Sequence, residues 1–96
     1  MPLTEIQKRH LRKLGHALKP VVMVGANGLT DAVCEEARAA LTRHELIKAR
    51  ISVSDRHARH AIIVKLCEHC GAELVQRIGH VAVIFRRNPQ RPRITF

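Results

Sequence analysis

The chain has 96 residues, 46% of them hydrophobic, which predicts one folded domain with a modest core. It has no run of about 18 apolar residues for a membrane span and no secretory-signal pattern after Met1, so we expect a cytoplasmic protein without a membrane partner. Seventeen Lys and Arg against eight Asp and Glu give a net charge of +9, which favours a nucleic acid as partner over an anionic membrane or a merely charged surface.

A helix and a short strand are predicted first. Thr4 and Gln7 match a capping box, and Leu11, Leu14 and Leu18 then follow at helical spacing. Pro20 starts a new element. The continuous apolar run 21–24 that follows is typical of a buried strand.

A glycine-bounded loop, Gly25-Ala26-Asn27-Gly28, separates this strand from a second helix that Thr30 is expected to cap. Glycines let the backbone approach a ligand closely, and a helix N-terminus supplies unpaired N–H groups with partial positive charge. The junction could therefore cradle a phosphate, with Asn27 tolerating a left-handed conformation. GxxG alone is a weak motif, and an ordinary strand-to-helix turn remains the alternative. The loop has neither the third glycine of a dinucleotide fingerprint nor the Gly-Lys-Ser/Thr of a P-loop.

From Leu46 onward, apolar residues alternate with polar ones, which predicts a half-buried strand with Lys48 and Arg50 on its outer side. A basic stretch containing Arg56 and Arg59 then opens a third helix. We expect this helix to end at a glycine cap and to turn four apolar residues inward: Ala58, Ala61, Ile62 and Leu66.

Two final strands, 72–78 and 81–85, are joined by Gly79-His80, which suits a two-residue type II′ hairpin turn. The element order αβαβαββ predicts a compact α/β domain with a mixed sheet, because alternating strands and helices favour parallel pairing and the hairpin adds an antiparallel pair. We place the domain at residues 1–87. The basic segment 88–96 is expected to be an extended, mobile tail.

Chemistry-bearing residues are scattered. Cys67-Glu68-His69-Cys70 could be half of a zinc site or a redox pair, but no second pair of ligands follows, and the motif falls at a helix end where cysteine often packs as a small apolar residue. Seven histidines form no recognisable Ser-His-Asp set. We therefore expect no enzyme activity, metal or cofactor. Only two Phe and no Tyr or Trp are present, so recognition should rest on the nucleic-acid backbone and not on aromatic stacking.

Three segments together resemble a known family. The segment 19–30 (KPVVMVGANGLT) resembles the signature of the CRM domain, the chloroplast RNA splicing and ribosome maturation domain, whose stand-alone bacterial form is the YhbY family. Segments 44–48 (HELIK) and 78–86 (IGHVAVIFR) match in the same order. The resemblance covers about residues 2 to 87 and is much more specific than GxxG alone.

The resemblance implies an αβαβαββ domain with a four-stranded mixed sheet, similar to the C-terminal domain of translation initiation factor three. It implies RNA binding through the GxxG loop, in a manner likened to KH domains. Stand-alone bacterial members are associated with precursors of the large ribosomal subunit, and plant relatives act in group II intron splicing. The partner expected here is therefore RNA, either large-subunit rRNA or pre-ribosomal particles, bound by a monomer that aids ribosome assembly.

The loop itself carries no positive charge, because Ala26 and Asn27 fill its two variable positions. Neighbouring elements must supply the charge. The predicted RNA-binding residues are Lys19, Gly25, Ala26, Asn27, Gly28, Lys48, Arg50, Arg56, Arg59 and Arg86. Two alternatives stay open: a zinc- or redox-dependent protein using Cys67 and Cys70, and an adaptor that binds ribosomal proteins.

Overall fold

A computed structural model describes residues 2–96 as three helices and one sheet. The elements in chain order are α1 (Glu5–Gly15), β1 (Val22–Val24), α2 (Asp31–His44), β2 (Leu46–Ile51), α3 (Arg56–Cys70), β3 (Glu73–Ile78) and β4 (Val81–Phe85). The strands lie in the order β1-β2-β4-β3, with β1 parallel to β2 and β4 antiparallel to both of its neighbours. The predicted α/β class and four-stranded mixed sheet are confirmed. No helix within 2–96 is long and apolar enough to span a bilayer.

Local sequence signals set the helix ends. The Thr4 Oγ1 atom accepts a hydrogen bond from the Gln7 N–H at 3.1 Å, and the Thr4 N–H donates to the Gln7 side chain at 3.0 Å, which completes the capping box. Thr30 caps α2 by accepting from the Val33 N–H at 3.2 Å. Gly71 ends α3 with a left-handed φ of 62°, where a residue with a Cβ would be strained.

The two faces of the sheet are covered unequally. One face, called here the covered face, packs against α2 and α3 through a core that includes Val22, Ile47, Ile63, Leu66 and Ile84. The opposite face, called the open face, carries the side chains that alternate with these, and α1 covers only part of it. Buried residues on that side form a smaller cluster: Leu11, Leu46, Val75, Val83 and Phe85.

Two details of the predicted packing differ. Ala61 is exposed and Ile63 is buried in its place, because the buried stripe of α3 runs through Ile63, Leu66 and Cys70. Leu14 is 40% exposed, because α1 ends at Gly15 and the chain then leaves the sheet. The apolar spacing correctly indicated a helix but overstated how much of that helix is buried.

The C-terminal segment, expected to be extended and mobile, folds back onto a buried carboxylate. The fully buried side chain of Glu45 accepts hydrogen bonds from the backbone N–H groups of Asn88, Arg93 and Ile94, at 2.6 to 2.9 Å. The Arg87 guanidinium lies 3.8 Å from the same carboxylate. Burial of an ionised group is costly unless it is paired and hydrogen-bonded, and these contacts provide both.

Apolar contacts hold the same segment. Ile94 packs against the small cluster on the open face, and the Phe96 ring lies edge-on to Phe85 with centroids 5.7 Å apart. Composition did not reveal this docking, because the partner of the tail is one glutamate more than forty residues earlier in the chain.

Acid is expected to loosen this attachment. Burial raises the pKa of Glu45, but the three backbone hydrogen bonds and the Arg87 charge lower it more, so the pKa lies below its ordinary value of 4.5. A carboxyl whose pKa is depressed in the folded state stabilises the fold above the unfolded-state pKa, and that contribution disappears as pH falls through the folded-state value. Denaturant unfolding between pH 7 and pH 3 should show a stability difference between wild type and Glu45→Gln that shrinks below about pH 4.5. A constant difference would contradict this assignment.

Candidate nucleic-acid interface

Three connections meet at one end of the sheet, called here the loop end. They are the turn 25–28 after β1, the connection 52–55 after β2, and the hairpin turn 79–80 between β3 and β4. The Ser52 N–H donates to the Val24 carbonyl at 2.8 Å, and the Ile51 N–H donates to the His80 carbonyl at 2.7 Å. These bonds hold the three connections in fixed relative positions.

The GxxG segment forms a hydrogen-bonded turn, in which the Gly28 N–H donates to the Gly25 carbonyl at 3.0 Å. The left-handed residue is Gly28, with φ +73°, and Asn27, which would tolerate that conformation, does not adopt it. A Cβ built on either glycine meets no described atom within 4 Å. Packing therefore does not demand glycine at Gly25, and the turn presents its backbone to open space.

Two helix N-termini point toward the loop end, because α2 and α3 each follow a strand that finishes there. Thr30 caps the first, and the Asp55 carboxylate caps the second by accepting from the Ala58 N–H at 3.0 Å. Each N-terminus contributes a partial positive charge that attracts anions. The capping Asp55 and the exposed Asp31 partly offset this attraction, so cationic side chains must supply the rest.

Arginines on α3 and β3 supply charge beside the hairpin. Arg56 is exposed in the first turn of α3. Arg59 donates to the carbonyls of Val53 and Ser54 at 2.9 and 2.7 Å, so its guanidinium also fixes the 52–55 connection.

Arg77 adds a further positive charge beside the hairpin. Its Nη1 atom lies 2.7 Å from His60 Nδ1, and its side chain shares a surface hollow with Arg56 and Arg59. Sequence reasoning missed Arg77, although its position next to the end of the strand before the hairpin turn could have indicated it.

Lys48 and Arg50 project from β2 on the open face, as predicted from the alternating pattern. Arg50 is in register with Met23, which precedes the glycine-bounded loop by two residues. Arg50 is therefore about 7 Å from Gly25 along the strand direction. Lys48 is a further two residues away, about 13 Å from Gly25. Lys19 lies next to Lys48, because the two line the same groove and the Val21 N–H donates to the Lys48 carbonyl at 2.9 Å.

Arg86 does not join this group. It follows β4 at the opposite end of the sheet, where its guanidinium donates to the carbonyls of Cys70 and Arg38 at 3.0 and 3.1 Å and to Thr42 Oγ1 at 2.7 Å. These bonds tie α2 to α3. The structure thus brings the other predicted residues to the loop end and the adjacent open face, and gives Arg86 an internal structural role.

Comparison with known proteins identifies the family. The family model of the CRS1/YhbY (CRM) domain matches residues 3–86, nearly the whole chain. The chain belongs to the CRM domain family. A probable RNA-binding protein of Pseudomonas aeruginosa is 43% identical over 90 residues, covering 94% of this chain and 86% of that protein. An RNA-binding protein of Haemophilus influenzae is 44% identical over 84 residues, covering 88% and 85% of the two chains.

A solved structure agrees with the fold. The solution structure of a hypothetical protein of Staphylococcus aureus, described as a candidate RNA-binding protein, superimposes with a TM-score of 0.81 at 32% identity. The alignment covers 91% of each chain. This chain and the solved protein therefore share the same arrangement of sheet and helices.

The thiols of the CxxC pair in this CRM domain are less acidic than a free cysteine thiol. Burial, with smaller contributions from Cys70 and Glu73, raises the pKa of the Cys67 thiol to about 11. Burial also raises the pKa of Cys70. Reactive cysteines need the opposite shift, because the thiolate is the nucleophile and the metal ligand. Within residues 2–96, no group of three or more His, Cys, Asp and Glu side chains could hold a metal ion.

Proposed function

We propose that this CRM domain protein binds RNA through the loop end and acts in the cytoplasm, as a monomer, on precursors of the large ribosomal subunit. The observation that carries the proposal is the arrangement of the loop end. An unobstructed glycine turn lies there beside two helix N-termini, with Arg56, Arg59 and Arg77 next to them. The names of the relatives, as RNA-binding proteins, support the same class of ligand.

Each part of the loop end has a distinct role in this proposal. The backbone of Gly25–Gly28 positions one phosphate group, because the two glycines have no side chains and the space that a Cβ would enter at each of them is open. The cationic side chains then attract the neighbouring phosphates. Arginine suits this task because its planar guanidinium binds phosphate oxygens in pairs. Such contacts fix the position of the RNA without reading its sequence.

Binding is expected to weaken steeply with salt, because each neutralised phosphate releases counterions. Five phosphate contacts on single-stranded RNA would give a slope of log K against log salt of about −3.5, and Arg56→Gln should reduce that slope by about 0.7. Lys65→Gln is the matched control, because Lys65 is exposed on the same helix about 14 Å further along. Equal slopes for the two variants would contradict a role for Arg56.

Crosslinking in cells, followed by sequencing of the attached RNA, tests the identity of the partner. Large-subunit rRNA precursors should dominate the recovered sequences if the protein aids assembly of that subunit. Recovery of tRNA or mRNA in their place would contradict the assembly role while leaving RNA binding intact.

A further inference from the structure

A groove crosses the open face beside the end of α1. Its floor is apolar and comes from β3 and β4, through Ile78, Val81 and Val83. Its volume is about 430 Å³, within the size range of sites that enclose small ligands. One wall is the segment 15–20, which leaves the sheet at Gly15. A Cβ at Gly15 would lie 3.1 Å from Val83 Cγ1, so the helix end sits close to the sheet and the groove begins abruptly beside it.

Exposed aliphatic side chains are concentrated around this groove and the hollow that adjoins it. Ile78 is 58% exposed and Met23, in register with Arg50, is 56% exposed. Leu14, Leu18 and Val21 line the adjoining hollow and are also exposed. Exposed apolar side chains gathered on one face of a protein often mark a binding surface.

The charge of the rim selects the partner. Lys19, Lys48 and Arg50 line the groove, and no acidic residue of the described chain lines it. An apolar floor under a cationic rim complements a nucleotide, because a base has apolar faces while its phosphate is anionic. Arg50 is also only two residues, about 7 Å along the strand, from the level of the GxxG turn. A strand of RNA held at the loop end can therefore continue directly into the groove.

We propose that this groove binds unpaired nucleotides of RNA, with the base on Ile78 and Val81 and the adjacent phosphates on Lys48 and Arg50. The inference rests on the proposed RNA-binding function and narrows its substrate class to single-stranded segments. In a duplex the bases are paired and stacked, so their faces cannot reach a groove floor. Aliphatic contacts replace the aromatic platforms that many single-strand binders use, which suits a chain without Tyr or Trp.

Equilibrium binding of an unstructured 12-nucleotide RNA and of the same sequence as a duplex tests the groove. Wild type should prefer the single strand. Ile78→Ser should weaken single-strand binding about fivefold, because it removes one apolar side chain from the groove floor. Duplex binding should be unchanged. Leu18 also lines the groove and lies outside every helix and strand. Leu18→Ser therefore provides a second groove variant with little risk to the fold. Val64→Ser is the matched control, because Val64 is 43% exposed on α3, away from the groove.

The outcomes separate this inference from the function on which it rests. If both groove variants bind both RNAs as wild type does, while Ala26→Glu in the loop weakens binding, the groove inference is overturned and the loop-end function stands. If Ala26→Glu also binds normally, both are overturned. A groove variant that loses affinity equally for the single strand and the duplex would show that the groove does not distinguish unpaired bases. That result would also overturn the inference.

Discussion

Replacing Ala26 with glutamate is expected to weaken RNA binding about fivefold, and replacing it with lysine to strengthen binding about fivefold. Ala26 is exposed in the glycine turn and its side chain makes no hydrogen bond, so either change adds a charge with little structural cost. A unit charge about 5 Å from a phosphate in a largely aqueous setting contributes about 1 kcal/mol, which corresponds to these factors. Equilibrium binding to large-subunit rRNA fragments at one fixed salt concentration measures both effects.

The same two substitutions at Ala39 provide the control. Ala39 is exposed on α2, eight residues or about 12 Å beyond the start of that helix. Each Ala39 variant has the same net charge as its Ala26 counterpart, so a difference between them reports position alone. Parallel effects at the two sites would mean that RNA responds to the net charge of the protein and not to the loop.

Glu45→Ala is expected to lower the free energy of unfolding by about 3 kcal/mol, a large share of the 5–15 kcal/mol typical of small domains. The substitution leaves the backbone N–H groups of Asn88, Arg93 and Ile94 without their buried acceptor. Alanine retains the Cβ at this left-handed position, where φ is 63°, so backbone strain is similar in both proteins. The loss therefore reports the carboxylate. Denaturant unfolding at pH 7 measures it.

Glu36→Ala is the matched control for this loss. Glu36 is exposed on α2, so its removal should change stability by less than about 0.5 kcal/mol. Glu45→Gln should fall between the two, because the amide keeps one oxygen acceptor but loses the charge. A Glu45→Ala protein as stable as Glu36→Ala would show that the docking of residues 88–96 contributes nothing to the fold.

The elements of this fold were predictable because their signals are local. Capping residues such as Thr4 and Thr30 act within three positions of themselves, and the alternation from Leu46 onward follows the geometry of one strand. The family resemblance then fixed the topology, which local signals leave open. The positions of Lys48 and Arg50 followed from the same alternation.

The features that escaped prediction depend on contacts distant in sequence. Arg86 matched a family segment, but its guanidinium is engaged by α2 and α3, which precede it in the chain by many residues. The tail docks because of Glu45, and the groove exists because α1 ends before it covers the sheet. The composition did not indicate the groove either. Its shortage of aromatic residues suggested that the protein contacts only the nucleic-acid backbone. Exposed Ile78 and Met23 become informative only once the sheet places Ile78 in a groove with Lys48 and Arg50, and Met23 in register with Arg50.

Amide chemical-shift mapping during titration with RNA tests the central claim most directly. If the loop end is the binding surface, the largest changes should fall on the amides of Gly25 to Gly28, of 52–55, and of the hairpin turn 79–80. The docked segment 88–96 and the far end around Arg86 should change little. Perturbations centred on that far end, with the glycine turn unaffected, would contradict the assignment of the RNA-binding surface.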